Sequence, residues 1–271
     1  MIVAHDLLTR SFDLLLGPLD RWTPTAGLWA VSALSGVAVL FVFRWASNAA
    51  AIRATRRRAQ AELLAVRLYR DNPRVVLRAQ ARFLAALARY LGHMLVPFSV
   101  LLLPFALICA QLDARYGARA LQPEERAIVE AFGTSAMLDS AELQSADGIV
   151  IETGPVRIAE RGEMSWRVAA KAPGRQFLTL VVAGGRVDKE VVVAAAPRGA
   201  PTRRMSSGVS SFFLAPAEAA IEDGLGVRRI EVRYPPLEID FLGWKTGWIT
   251  VFLVVSGTVA LALRRRMGVE L

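Results

Sequence analysis

The chain has one cysteine and two histidines in 271 residues, and these shortages exclude much chemistry. Cys109 sits inside an apolar stretch, so neither an intrachain disulfide framework nor a cysteine-rich zinc site can form. The sequence contains no glycine-rich phosphate loop and no Gly-x-Ser-x-Gly elbow, and residues 113–240 hold neither His nor Cys. Hydrolysis by serine or cysteine lacks its base there, and metal ligation would have to be all-oxygen. Asp188, Glu190, Glu222 and Asp223 are scattered without a loop signature and read as solvated charge. No Asp lies in a long apolar stretch, which excludes an intramembrane protease built on paired aspartates. The expectation is a non-enzyme with no cofactor and no metal.

Charge is scarce as well. Only 21% of residues are charged against 54% hydrophobic, too apolar for a disordered chain and unusually apolar for one soluble domain. The average hides three stretches nearly empty of charge: Trp22 to Phe43, Tyr90 to Leu112, and Phe241 to Leu263, interrupted only by Lys245. Each supplies the roughly 20 residues needed to cross about 30 Å of hydrocarbon, so spans are expected at 22–43, 92–112 and 241–263. Trp22, Trp29, Trp45, Tyr90, Tyr116, Trp244 and Trp248 fall near their ends, as interfacial aromatics do. Residues 44–93 carry eleven arginines against Glu62 and Asp71, a surplus of nine that equals the net charge of the whole chain. The positive-inside rule then orients the chain in the cell (inner) membrane. Residues 44–89 and a 264–271 tail with Arg264, Arg265 and Arg266 are cytoplasmic, and the N-terminus and 113–240 are outside.

Between the spans two soluble parts are expected. Residues 44–91 read as an antiparallel helical hairpin broken at Asp71-Asn72-Pro73. Ile52, Ala59, Leu63 and Val66 line one arm, and Val76, Gln80, Phe83, Leu87 and Leu91 line the other. Arg53, Arg56, Arg57, Arg58, Arg67, Arg70 and Arg74 are largely on solvent faces and suit an anionic partner: lipid headgroups, ribosomal RNA or acidic protein. Cytoplasmic retention alone accounts for several of them. Residues 113–240 alternate short Val-, Ile-, Thr- and Phe-rich segments with Gly and Pro turns. The segments are Ala127–Phe132, Ile149–Glu152, Val156–Ala159, Met164–Ala170, Gln176–Ala183, Val187–Ala195, Ser211–Leu214 and Arg229–Tyr234. Six to eight strands at this spacing predict an inserted all-β, immunoglobulin-like sandwich. Leu8, Phe12, Leu15 and Leu19 share a helix face opposite Asp6, Arg10 and Asp13, which predicts an amphipathic helix within 1–21, lying on the membrane or packed on the outer domain.

The spans carry polar residues: Ser32 and Ser35, then His93, Ser99 and Gln111, then Ser256 and Thr258, with Arg44 at the cytoplasmic edge. Small hydroxyls commonly serve helix packing. Pro97 and Pro104 free backbone carbonyls in the second span, and with His93 and Arg44 they allow a shallow polar groove open to the cytoplasm.

Three segments carry a family resemblance: Phe12-Asp13-Leu14-Leu15-Leu16-Gly17-Pro18-Leu19 before the first span, Ala61-Glu62-Leu63-Leu64-Ala65-Val66-Arg67-Leu68-Tyr69 running into Asp71-Asn72-Pro73, and Tyr90-Leu91 through Pro97 to Leu103-Pro104-Phe105. In this order they resemble the core of the Oxa/Alb/YidC membrane insertase superfamily, which includes the EMC and Get-type subunits. The resemblance covers about residues 1–120 and, more weakly, the last span with Gly268-Val269-Glu270-Leu271. It implies a hydrophilic groove facing the cytoplasm, lined here by Ser32, Ser35, Arg44, His93, Ser99, Gln111, Ser256 and Thr258. It further implies a hairpin that receives nascent or newly inserted membrane proteins or the ribosome, through Arg53, Arg56, Arg57, Arg58, Arg67, Arg70 and Arg74. Many bacterial members carry an arginine in mid-groove, where this sequence has only Arg44 at the edge. The expected function is therefore a membrane insertase-like chaperone or assembly factor. The alternative is a structural subunit of a membrane complex that binds an extracytoplasmic protein through 113–240.

Overall fold

The computed structural model describes Leu19, Thr23, Ala215 and residues 25–46, 49–68, 73–145, 147–195, 199–206, 218–222 and 224–268. Apart from Leu19, the amphipathic helix expected at 1–21 lies outside the described residues, as do the strand expected at Ser211–Leu214 and residues 269–271 of the tail. The long helices and the β structure occupy separate parts of the chain. The described helices are α1 (Ala26–Ala46), α2 (Ala49–Leu68), α3 (Pro73–Tyr116), α4 (Ser135–Ser140) and α5 (Trp248–Leu263). The chain divides into two compact units: residues 106–252 with the described residues up to Ala30, and residues 31–105 with those from 253 on.

Two helices, α1 and α3, are long and apolar enough to cross a membrane, each with a window of mean hydropathy above 2. In α1 no charge interrupts the helix before Arg44 in its last turn, where a cation suits the helix dipole. Pro73 opens α3, the position where a missing N–H costs nothing, and the helix runs unbroken for 44 residues. The hairpin arm and the expected second span thus belong to one continuous helix. Pro97 and Pro104 lie inside it without ending it. It stops where the Gly117 N–H donates to the Asp113 carbonyl at 2.8 Å.

The third apolar stretch departs from expectation. Helix α5 starts at Trp248 and has 16 residues, so 241–247 are not helical. They belong to a hairpin of β10 (Ile239–Phe241) and β11 (Trp244–Thr246). The reason is local. Leu242 and Gly243 adopt φ of 55° and 83°, the left-handed pair that closes a two-residue hairpin loop, and the Asp240 carboxylate accepts the Gly243 N–H at 3.0 Å. Apolar composition alone gave no sign of this turn.

The remaining strands are β1 (Arg126–Gly133), β2 (Glu142–Ser145), β3 (Ile149–Ile151), β4 (Val156–Ile158), β5 (Glu163–Ala170), β6 (Gly174–Val182), β7 (Gly185–Val193), β8 (Arg203–Met205) and β9 (Val227–Val232). One sheet has the order β3-β5-β1-β9-β8, with β4 continuing the β3 edge along β5; the other has the order β2-β6-β7. Every pairing within these sheets is antiparallel. Alternate residues of both sheets meet in one core: Val129, Trp166, Val168 and Ile230 from the first, Leu143, Leu178, Leu180 and Val191 from the second. Period two in the sequence becomes a buried face and an exposed face because successive strand side chains point opposite ways. Helix α4 adds Met137 and Leu138 to this core.

Candidate functional site

The hairpin is built from facing seams. Arg56, Ala59, Gln60 and Leu63 of α2 line one cavity of about 240 Å3 together with Phe83, Leu87 and Tyr90 of α3. Ala79 and Ala86, at 4% and 5% exposure, are the residues of α3 buried most deeply between Pro73 and Tyr90. The α3 seam is therefore Ala79, Phe83, Ala86 and Tyr90, at alternating spacings of four and three. Gln80 and Leu91, expected in it, are exposed instead. Both alanines are small, and a pattern of large apolar residues does not mark them.

A second seam lies on the opposite side of α3. Leu77, Ala81, Leu84, Ala88, Leu91, Leu95 and Phe98 repeat at the same alternating spacing, and all are exposed. Leu77, Leu84 and Leu91 are 65%, 62% and 52% exposed. This apolar strip runs from the arginine-rich end of the helix into its apolar half. Leu64 and Leu68 on α2 are also more than half exposed. Arg53, Arg56, Arg57, Arg58 and Arg74 are exposed as expected. Arg70 and the side chain of Arg67 lie outside the described residues.

The residues expected to line a groove do not share one environment. Ser32, Ser35 and Ser256 are buried. Beside them, a β-carbon on Gly36 would lie 2.5 Å from the Ser256 carbonyl oxygen and 3.1 Å from Val259, so α1 and α5 meet backbone to backbone. These serines belong to a helix contact, where small residues permit close approach. Ser99 and Thr258 are exposed, and each donates its hydroxyl to the carbonyl one turn earlier, Leu95 at 2.8 Å and Val254 at 2.7 Å. Arg44 is exposed, and His93 and Gln111 are half-buried.

The β-domain holds polar groups that the sequence pattern did not single out. Lys189 is fully buried on β7. Its Nζ donates to a Glu218 carboxylate oxygen, to the Pro201 carbonyl at 2.8 Å and to the Glu190 carbonyl at 3.0 Å. The signal was available: Lys189 shares the inward phase with Val187, Val191 and Val193. Burial pushes the Lys189 ammonium below its ordinary range and the Glu218 carboxyl above its own, with their mutual attraction opposing both shifts. The Tyr234 hydroxyl accepts the Val192 N–H at 3.0 Å, and burial raises its pKa.

On the outer face of the larger sheet, Glu231 pairs with Arg203 at 2.8 Å and Arg229 at 3.4 Å, and Glu130 pairs with Arg233 at 2.7 Å. Arg229 also stands 4.0 Å over the Phe132 ring. A cleft of about 340 Å3 opens beside Arg203, Glu231, Arg233 and Asp113. These arginines are already matched by carboxylates, and the Asp113 carboxylate accepts the Trp248 indole N–H. Among the described residues no cluster of three or more His, Cys, Asp or Glu side chains could hold a metal ion. Asp188 accepts from the Thr179 hydroxyl at 2.7 Å and Glu190 pairs with Arg175 at 3.2 Å. Glu222 is exposed, and Asp223 lies outside the described residues.

Glu125 shows what a well-paired carboxylate does here. It accepts both Arg119 terminal nitrogens at 2.8 Å and the Gln122 N–H at 2.8 Å, and these bonds hold its pKa below the ordinary 4.5. A carboxyl with a lowered folded-state pKa stabilises the fold above its unfolded value, and that contribution is lost as pH falls through the folded one. Glu125→Gln should therefore flatten the decline of β-domain stability below about pH 4.5, measured by urea unfolding at stepped pH. An unchanged acid limb would contradict this.

Fold and surface together define a chain with two helices of membrane-crossing length and composition, an arginine-rich helical hairpin and a separate antiparallel β-domain. No protein-family model, curated protein or solved structure matches it.

Proposed function

We propose that this is a multi-pass membrane protein of insertase-like chaperone or assembly type, which receives apolar client segments at the arginine-rich hairpin. The observation that carries the reading is the exposed seam Leu77, Ala81, Leu84, Ala88, Leu91, Leu95 and Phe98 on α3. An apolar strip with heptad spacing matches an incoming helical segment, and its continuation into the apolar half of α3 offers that segment an unbroken surface toward lipid. The exposed arginines Arg53, Arg56, Arg57 and Arg58 of α2 and Arg74 of α3 suit the acidic flanks of a client or the phosphates of ribosomal RNA. In this reading α1, α3 and α5 cross the inner membrane, the hairpin is cytoplasmic, and the β-domain is an immunoglobulin-like sandwich on the outer side. No step calls for an enzymatic group.

Because Ser35 and Ser256 are buried against neighbouring helices, the test uses exposed positions. A photocrosslinker is placed at Leu84 and at Ser99 in intact membranes, with ribosome-bound nascent membrane segments as clients. Crosslinks are expected from both sites and should weaken when Arg56, Arg57 and Arg58 are changed to Glu. Silence at both sites, with reproducible capture of a folded partner from residues 149–234, would replace this reading by the scaffold one.

A further inference from the structure

The β10–β11 hairpin has a tip that water does not suit. Leu242 is 86% and Trp244 81% exposed. In the register Phe241 faces Trp244 directly, leaving Leu242 and Gly243 as the two-residue loop. Such loops take positive φ at both positions and favour Asn-Gly. Here the first position is a leucine at φ 55°, a conformation that a branched apolar side chain rarely adopts. In water Leu242 is thus unfavourable twice, in its backbone and in its exposed surface. A place among acyl chains relieves the second.

The position of the hairpin identifies that apolar phase. Phe241 stacks on Trp29, in the first turn of α1, with ring centroids 5.4 Å apart. Trp248, the first residue of α5, donates its indole N–H to Asp113 of α3 at 3.2 Å. The hairpin therefore stands where three apolar helices begin or end. Helix α5 is about 24 Å long at helical rise, some 6 Å short of a typical hydrocarbon core, and the tip lies at its N-terminal end. Exposed Trp and Leu, with Lys245 and Glu238 paired at 3.5 Å beside them, form the apolar body and polar rim of an interfacial anchor.

We infer that Leu242 and Trp244 insert into the acyl-chain boundary of the extracytoplasmic leaflet, so that the β10–β11 hairpin anchors the β-domain to the lipid surface. This rests on the membrane-spanning reading proposed above, and the experiment separates the two. In a Cys109→Ser background, an environment-sensitive dye is attached to Leu242→Cys, to Val254→Cys within α5, or to Arg186→Cys, an exposed position at the start of β7. Each full-length protein is reconstituted in phosphatidylcholine–phosphatidylglycerol vesicles with iodide on both sides. Trp244→Cys serves as a second tip site should Leu242→Cys fail to fold. The tip dye is expected to be several-fold less quenched by iodide than the Arg186→Cys dye. It should be quenched more by a nitroxide near the acyl-chain carbonyl than by one at the chain terminus. If Val254→Cys is lipid-protected while the tip is as iodide-accessible as Arg186→Cys, the anchor is overturned and the membrane reading stands. If Val254→Cys is itself open to iodide, both fall.

Discussion

Replacing Lys189 by methionine should lower the unfolding free energy of the β-domain by about 3–5 kcal/mol, the usual cost of removing one partner from a buried ion pair. The side chain of Lys189 is fully buried and that of Glu218 is 9% exposed, so neither charge can turn to water. The ammonium has three acceptors: Glu218, the Pro201 carbonyl and the Glu190 carbonyl. Methionine removes the donor and leaves all three without it. The double variant Lys189→Met with Glu218→Leu should recover most of the loss, because an apolar pair of similar volume is often as stable as a buried ion pair. The single variant should also acquire a pH dependence. Burial already raises the Glu218 pKa, and a carboxyl with a raised folded-state value favours the fold below its unfolded pKa and loses that contribution as pH rises. Lys189→Met should accordingly be most stable in acid and weaken as pH climbs above about 4.5. Urea unfolding followed through Trp166, a buried core residue, reads all three effects. A single-variant loss under about 1 kcal/mol would refute the buried pair.

The second large effect is expected at Gly36. A β-carbon there would fall 2.5 Å from the Ser256 carbonyl oxygen and 3.1 Å from the Val259 β-carbon, and the first of these is backbone that cannot swing aside. Gly36→Leu forces α1 and α5 apart, at a cost of about 1–3 kcal/mol or more for overpacking. It also disturbs the cluster of Leu40, Phe43 and Ala260 that the same helices share. Gly257→Ala is the matched control. It lies on the same helix pair, but nothing stands within 4 Å of the added carbon, so the change should be neutral or stabilise α5 by up to about 1 kcal/mol through helix propensity. Thermal unfolding in detergent should show a clear drop for Gly36→Leu and none for Gly257→Ala. Equal behaviour of the two would mean that α1 and α5 are not in close contact.

These sites mark how far local pattern reaches. The strands were legible at Met164–Ala170 and Gln176–Ala183 because alternation of large apolar with polar residues is the direct imprint of a half-buried strand. The break before Pro73 was legible because proline restricts its predecessor and begins a helix readily. The alanine seam of α3 was not, since residues as small as Ala79 and Ala86 show their burial only in the folded chain. Nor was the turn at Leu242-Gly243, where a leucine occupies a position that turn chemistry reserves for other residues. The serines show the same limit in reverse: Ser32, Ser35 and Ser256 read equally as groove or as packing until the neighbouring helix is in place.

What the sequence determined by itself follows from chemistry carried within a few residues: the apolar stretches, the arginine surplus between them, the antiparallel strand pattern, and the lack of His and Cys in the β-domain. The tertiary structure decided everything that depends on distance between remote segments. It set the pairing of Lys189 with Glu218, the approach of Gly36 to Ser256, the continuous helix α3 with its second exposed seam, and the late start of α5. Composition and periodicity state which side chains prefer to leave water. They do not state which partner each one meets, because that follows from packing the whole chain at once.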